Sequence, residues 1–593
     1  MENTINRRIE QLRSYMSDKN LQAFIIPSTD AHMSEYIPEH WETRRWLSGF
    51  TGSAGTVVVT LDKAGLWTDS RYFLQAEDEL RGSEIILFKD RLPDTINIPD
   101  WLTTQLPNGS RAGIDGNVYP AKDALTLQSK LEEKNIALIP DFDPFDTIWL
   151  NRPALPKEPV TVHPLEYAGE TARQKIERTL AEIENHGTAA VWISAPDTIA
   201  WLFNIRGNDV SYNPVTVAHA FLSRKQTALF IDKDKITPEA ARHFHNEGVT
   251  IADYSEAAGF LEKTHSLRIC LDSGKLSFNL YKTIVRHNSA ADMPSVADLL
   301  KSIKNETETA GFRRVMARDG IALVRFFMWL EKAIPTGEVT EYAVCLKLKE
   351  LRSRQENFAG ESFHTIAGYA ANGAINHYHP SEENSAAVKA EGFLLIDSGG
   401  QYLDGTTDIT RTIAAGVVTE AMKQDYTLVL KGNINLSKAI FPAGTRGSQI
   451  DMLARKDMWE HGVNYLHGTG HGVGYYLNVH EGPHSIRPEE NPVKLQLGMI
   501  VTNEPGIYRN HRYGVRTENM MLVKRAMTTD FGDFYGFETL TLCPIDTTPI
   551  IKEMMTDEET AWLNSYHQTV YEKLSPHLSE EEAEWLKNKT EKL

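Results

Sequence analysis

Apolar residues along the chain fall into short runs separated by helical stripes, and two of the short runs repeat. Ala23-Phe24-Ile25-Ile26, followed by Asp30, resembles Ala190-Val191-Trp192-Ile193, followed by Asp197; Trp46-Leu47 and Trp201-Leu202 come next in each copy. Both copies then carry a second strand-like run ending in aspartate, Leu66-Trp67-Thr68-Asp69 and Leu229-Phe230-Ile231-Asp232. Short apolar runs alternating with helical patterns predict two related α/β domains. Further on, Ile321, Val324 and Met328 mark one face of a helix whose plain reading is core packing. After about residue 365 the pattern turns to strands and glycine-rich turns. The last forty residues return to helix, with Trp562, Tyr566 and Val570 on one face, placed for packing or oligomer contact.

Two interruptions divide the chain. Pro153, Pro156, Pro159 and Pro164 stud an extended stretch, because each proline fixes its own φ and biases the preceding residue away from helix. Asn305-Glu306-Thr307-Glu308 has the spacing of a capping box that opens a long helix. The expected domains are residues 1–152, 153–304 and 305–593, an α/β and α+β multidomain chain.

Composition narrows the function. With 593 residues, 41% hydrophobic and 24% charged, the chain has material for several cores, and wholesale disorder is excluded. A formal charge of -18 argues against nucleic acid or an anionic membrane as the main partner, since both would repel it. Cys270, Cys345 and Cys543 are few, distant and odd in number, so no disulfide framework or cysteine zinc site is indicated and a reducing compartment is expected. The first nineteen residues are polar with no apolar signal core, and no run of about eighteen apolar residues occurs. A soluble, unsecreted protein is the expectation.

The chemistry concentrates in the last third. Phe393-Leu394-Leu395-Ile396-Asp397 and Thr406-Thr407-Asp408-Ile409-Thr410-Arg411-Thr412 read as a β-hairpin whose turn, around Leu403 to Gly405, brings Asp397 and Asp408 together. Like charges so placed are costly unless a cation lies between them; the competing reading is two unrelated surface aspartates. Glu504 ends the apolar run from Met499 and is held extended by Pro505. In a strand of period two, Arg516 and Glu518 share a face with Met520 and Leu522, either as a core ion pair or as the wall of a site.

The run His467-Gly468-Thr469-Gly470-His471-Gly472-Val473-Gly474 lacks the spacing of a phosphate cradle. His480-Glu481-Gly482-Pro483-His484 spells H-E-x-x-H, yet Gly482-Pro483 disrupts the helix that this zinc motif requires. The remaining reading is that one histidine joins the four carboxylates as a metal ligand. Such an oxygen-rich set suits Mn²⁺ or a similar cation, and four carboxylates call for two ions, which together generate a hydroxide nucleophile near neutral pH.

At these residues the sequence resembles the aminopeptidase P branch of the pita-bread metallopeptidases, which also include prolidase, methionine aminopeptidase and creatinase. The ligand order Asp, Asp, His, Glu, Glu is intact. The resemblance implies that Asp397 chelates one metal, Asp408 and Glu518 bridge, and His471 with Glu504 completes the second, the ions usually being manganese. It implies substrate-binding roles at the scissile carbonyl for His377 and His480, a third active-site histidine in His467, and proton transfer to the leaving proline nitrogen by Glu504. The segments Ile26 to His32, Ser48 to Thr56 and Trp67 to Phe73 look like the long cytosolic form with two creatinase-type N-terminal domains before a pita-bread catalytic domain. By that likeness Arg71 reaches toward substrate, the plain alternative being a local pair with Asp69; Arg516 is the further candidate for substrate contact. The expectation is a cytoplasmic homodimer cleaving peptides with proline second. A prolidase acting on Xaa-Pro dipeptides, or a non-catalytic binding protein of the same fold, are the rival readings. Ser70 and His379 depart from the family's pattern without touching a ligand position.

Overall fold

The computed structural model describes residues 4–593. The chain divides into two compact units, Met1–His163 with Glu170–Ala297, and Pro164–Gly169 with Asp298–Leu593.

The first unit contains two six-stranded sheets. One runs, edge to edge, Ile85–Lys89, Ala64–Thr68, Thr56–Thr60, Ala23–Ile26, Arg111–Ile114 and Ala137–Ile139. The other runs Thr250–Ala252, Thr227–Ile231, Ala218–Ser223, Ala190–Ile193, Arg268–Leu271 and Ser289–Asp292. Counted along each domain, both follow the order fourth, third, second, first, fifth, sixth, and both have the same parallel and antiparallel pairings. The repeated sequence runs thus occupy equivalent places: Ala23–Ile26 and Ala190–Ile193 are the first strands, and the runs ending at Asp69 and Asp232 are the third. Trp46-Leu47 and Trp201-Leu202 lie on the helices Thr43–Ser48 and Pro196–Leu202 that follow the first strands. The β-branched run Thr56–Thr60 fits a sheet covered on both faces, and full burial of Val57 and Val59 contributes roughly 1.5–3 kcal/mol each.

The second unit opens as its sequence requires. Asn305 Oδ1 accepts from the Glu308 amide at 2.9 Å and Glu308 Oε2 accepts from the Asn305 amide at 2.9 Å, starting the helix Glu306–Ala333. Val324 on that helix is fully buried, with Ile321 and Met328 packed against the same core, and Tyr566 and Val570 of the helix Asp557–Leu574 join them. A three-stranded sheet (Ile366–Tyr369, Phe393–Ser398, Ile409–Ala414) and a six-stranded sheet centred on Ile500–Asn503 and Asn519–Thr529 carry the chemistry-bearing residues.

Two strand expectations need correction. Arg516 and Glu518 do not share one continuous strand: Tyr513–Arg516 pairs with Gly506–Arg509, the chain breaks at Thr517, and Asn519–Thr529 then pairs with Ile500–Asn503. The period-two argument fails because the chain changes sheets at that point. Asp408 lies one residue ahead of its strand, so Asp397 faces Thr410. Glu481–Ile486 is a strand, which agrees with the exclusion of a zinc helix there.

Candidate metal centre

Each acidic side chain is delivered by a strand whose apolar residues are buried. Phe393–Ser398 is the middle strand of its sheet and is buried throughout, so its packing carries Asp397 inward to 8% exposure. Glu504 follows Ile500–Asn503, all four residues of which are buried, and its amide donates to the Thr469 carbonyl at 2.8 Å. The Glu518 amide donates to the Thr410 carbonyl at 3.1 Å, and Thr410 Oγ1 donates to Glu518 Oε2 at 2.8 Å. His471 sits on Gly470–Gly472, where the glycines are explained by close strand packing: a Cβ at Gly470 would stand 2.0 Å from the Thr502 carbonyl oxygen.

These elements converge. Ligand atoms of Asp408, His471 and Glu518 lie within 4.8 Å of one another. His471 Nε2 stands 3.5 Å from Asp408 Oδ2 and 3.5 Å from Glu504 Oε1, while its Nδ1 is 2.8 Å from the Gly472 carbonyl. A carbonyl acceptor at Nδ1 fixes the proton there and leaves the Nε2 lone pair facing the carboxylates, the arrangement a metal-binding histidine needs. Arg516 donates to Asp397 Oδ2 at 2.6 Å, to Thr410 Oγ1 at 3.1 Å, to Tyr508 Oη at 2.7 Å and to the Asn376 carbonyl at 3.4 Å. It is therefore an ion-pair partner inside the centre.

The electrostatics are unbalanced in protein alone. Burial first, and then the charges of Glu518, Asp397 and Glu504, hold the Asp408 carboxyl well above the usual carboxylate range. Burial and the charge of Asp397 push Glu518 up to about 7, against the opposing pull of Arg516. Asp397 Oδ1 is buried with no hydrogen-bond partner. Four carboxylates faced by one guanidinium, one orphaned carboxylate oxygen and a correctly turned imidazole fit a pair of divalent cations.

The three other histidines differ in their surroundings. His480 presents its ring 4.4 Å from that of His471, nearly perpendicular. His467 Nε2 is 2.9 Å from Tyr508 Oη, which also receives Arg516, so His467 is tied to the centre by one intermediary. His377 is half-buried and follows Asn376, whose carbonyl accepts from Arg516. Arg71 belongs to the other unit, where it donates to both oxygens of Asp69, at 2.9 and 2.8 Å, with Glu35 at 3.7 Å; this is the local pair anticipated as its plain alternative.

Sequence reasoning missed Thr410 and Tyr508. Thr410 was findable, standing two residues after Asp408 within the predicted hairpin, where it comes to face Asp397. Tyr508 gave no comparable signal.

The profile of metallopeptidase family M24 matches residues 310–525 and that of its C-terminal region residues 533–593; the creatinase/prolidase N-terminal domain matches twice, at 8–144 and 151–308. The chain belongs to metallopeptidase family M24, in the form that carries two creatinase-type N-terminal domains before the catalytic domain. Over nearly its whole length it is similar to a probable Xaa-Pro aminopeptidase P of Coprinopsis cinerea (40% identity over 610 residues, 99% of this chain and 98% of the relative). It is similar also to Xaa-Pro aminopeptidase 1 of Dictyostelium discoideum (39% over 612 residues, 99% and 97%). Among solved structures it resembles X-prolyl aminopeptidase from Caenorhabditis elegans, described as a cytosolic enzyme with a di-nuclear active site, at 34% identity and TM-score 0.95 over 100% of both chains.

Proposed function

We propose that this protein is a dinuclear metallo-aminopeptidase that hydrolyses the bond between the first residue of a peptide and a proline in second place. The observation that carries the reading is the convergence of Asp408, His471 and Glu518, with Glu504 beside His471, around a buried centre where Asp397 Oδ1 lacks a protein partner. Full-length similarity to Xaa-Pro aminopeptidases supplies the substrate class.

In this reading Asp397 would hold one ion and His471 with Glu504 the other, with Asp408 and Glu518 available to both. When bound, two divalent cations, manganese in our reading, would supply acidification of a water and polarisation of the scissile carbonyl. The chain's residues do the rest. Thr410 and Arg516 hold the Glu518 and Asp397 carboxylates in position, the one by a hydrogen bond and the other by an ion pair. His480 and His377 donate to the carbonyl oxygen as charge develops on it, and His467, tied through Tyr508, lines the same centre. Glu504 takes the proton from the attacking water and delivers it to the proline nitrogen, which must be protonated to leave. Arg71 is assigned to substrate binding by the family resemblance alone.

The domain boundaries in this reading lie near residues 152 and 304. Cytoplasmic location is supported by the cytosolic Caenorhabditis relative and a homodimer by the family resemblance. The test is turnover of matched Xaa-Pro dipeptides and Xaa-Pro-Yaa tripeptides by manganese-loaded protein. Release of the first residue from the tripeptide is expected; cleavage confined to the dipeptide would make it a prolidase.

A further inference from the structure

A buried triad lies directly beside His480. Glu481, whose side chain is fully buried, accepts from Lys301 Nζ at 2.9 Å on Oε2 and from Lys304 Nζ on Oε1; both lysine side chains are at most 2% exposed. Ammonium groups are strongly hydrated and are buried only where partners replace that water. Lys304 Nζ adds a bond to the Lys301 carbonyl at 3.0 Å, so the two lysines and the glutamate close on one another.

The placement of the triad matters more than its charge. Glu481 is the first residue of the strand Glu481–Ile486 and pairs with Gly472, next to His471, where the register shifts. At Gly472 a Cβ would stand 2.4 Å from the Glu481 carbonyl oxygen, so the two strands approach too closely there for a side chain. The lysine-bearing segment also reaches the strand that leads to Glu504: the Lys304 amide donates to the Gly498 carbonyl at 3.0 Å, and Ile303 bridges to Met499. One short stretch, 301–304, thus grips the backbone ahead of Glu504 with its main chain and the residue after His480 with its side chains.

We infer that Glu481, clamped by Lys301 and Lys304, is a positioning residue that sets the His480 imidazole against the metal centre, so that the segment 301–304 registers His480 with Glu504. The inference rests on the proposed aminopeptidase reading. Side chains that orient residues at a metal site through one intermediary are worth about 10–100-fold when removed. The clamp carries no substrate contact, so its loss acts on kcat, through a misplaced oxyanion donor, and leaves KM nearly unchanged.

The test compares Glu481→Gln, Lys304→Met and Lys304→Arg with wild type in the full-length, manganese-loaded protein. It reads kcat and KM on a Xaa-Pro-Yaa tripeptide, bound metal, and, in a matched sample loaded with diamagnetic Zn²⁺ in place of manganese, the His480 Cε1–H resonance of histidine-labelled protein, assigned by its loss in His480→Gln. The expected result is a kcat about tenfold or more below wild type for Glu481→Gln and Lys304→Met, with KM within about twofold and metal content intact. The His480 resonance shifts in both, and Lys304→Arg recovers most of the rate. An unshifted resonance with unchanged kcat would overturn the inference, as would a loss of rate that follows lost metal. If Glu481→Gln does not fold, the Lys304 pair decides by the same readings. A wild-type protein inactive on the tripeptide would instead remove the aminopeptidase reading, and the inference with it.

Discussion

Two buried acidic regions, one in each unit, settle their charge in opposite ways. In the first unit Asp209 and Lys235, at 0% and 1% side-chain exposure, pair one to one, and Asp209 Oδ2 also accepts from the Val217 amide at 2.6 Å and Thr216 Oγ1 at 3.0 Å. In the second unit four carboxylates gather, Arg516 pairs with Asp397 among them, and two others, Asp408 and Glu518, are driven toward the protonated form. The first region balances its charge within the protein, although Asp209 Oδ1, like Asp397 Oδ1, has no hydrogen-bond partner; the second leaves its charge unbalanced. A structural ion pair carries its own counter-charge, whereas a site built for cations is left short of one, and that deficit is what marks it as functional.

The largest effect is expected at the unbalanced region. Asp408→Ala removes a carboxylate that clusters with His471 and Glu518 in the proposed metal centre and should lower tripeptide turnover by about a thousandfold or more, roughly 4 kcal/mol, with metal lost and the first unit still folded by circular dichroism. Retained turnover would mean that the two regions do not differ as described.

The balanced region should respond in stability. Lys235→Met strands the buried Asp209 and should cost about 3–5 kcal/mol, read as a lowered midpoint of urea unfolding, while adding Asp209→Leu should recover most of that loss. A double variant as unstable as the single one would contradict a self-contained pair.

The smallest effect is a pH dependence of the metal-free protein. Glu518 rises from its ordinary 4.5 to about 7 on folding, so between those values the folded state holds a proton that the unfolded state has released. Stability therefore falls as pH rises through that window, by roughly 3 kcal/mol in full, and Asp408 acts in the same direction. Thermal unfolding of metal-free protein between pH 5 and 7.5 should show this decline, and manganese should flatten it. A midpoint of the metal-free protein that rises with pH would reverse the sign and the argument.

Much of this arrangement was legible in the chain. The doubled apolar runs predicted two related sheets because strand order follows local sequence, and Asn305 with Glu308 announced its helix because a capping box is local. Asp397 and Asp408 were legible as a hairpin pair from an apolar strand and a short turn. Contacts between distant segments were not: Thr410 meets Glu518 across 108 positions, and Lys301 meets Glu481 across 180. Neither has a periodic signature. The expected single strand through Arg516 and Glu518 failed for a related reason, since period two cannot show where a chain leaves one sheet for another.

The most direct test of the central claim is the stoichiometry of metal binding. Metal-free protein titrated with Mn²⁺ by calorimetry, then checked by elemental analysis, should take up two ions per chain, with tripeptide turnover rising as they bind. Full turnover in protein shown to hold fewer than two ions would contradict the account.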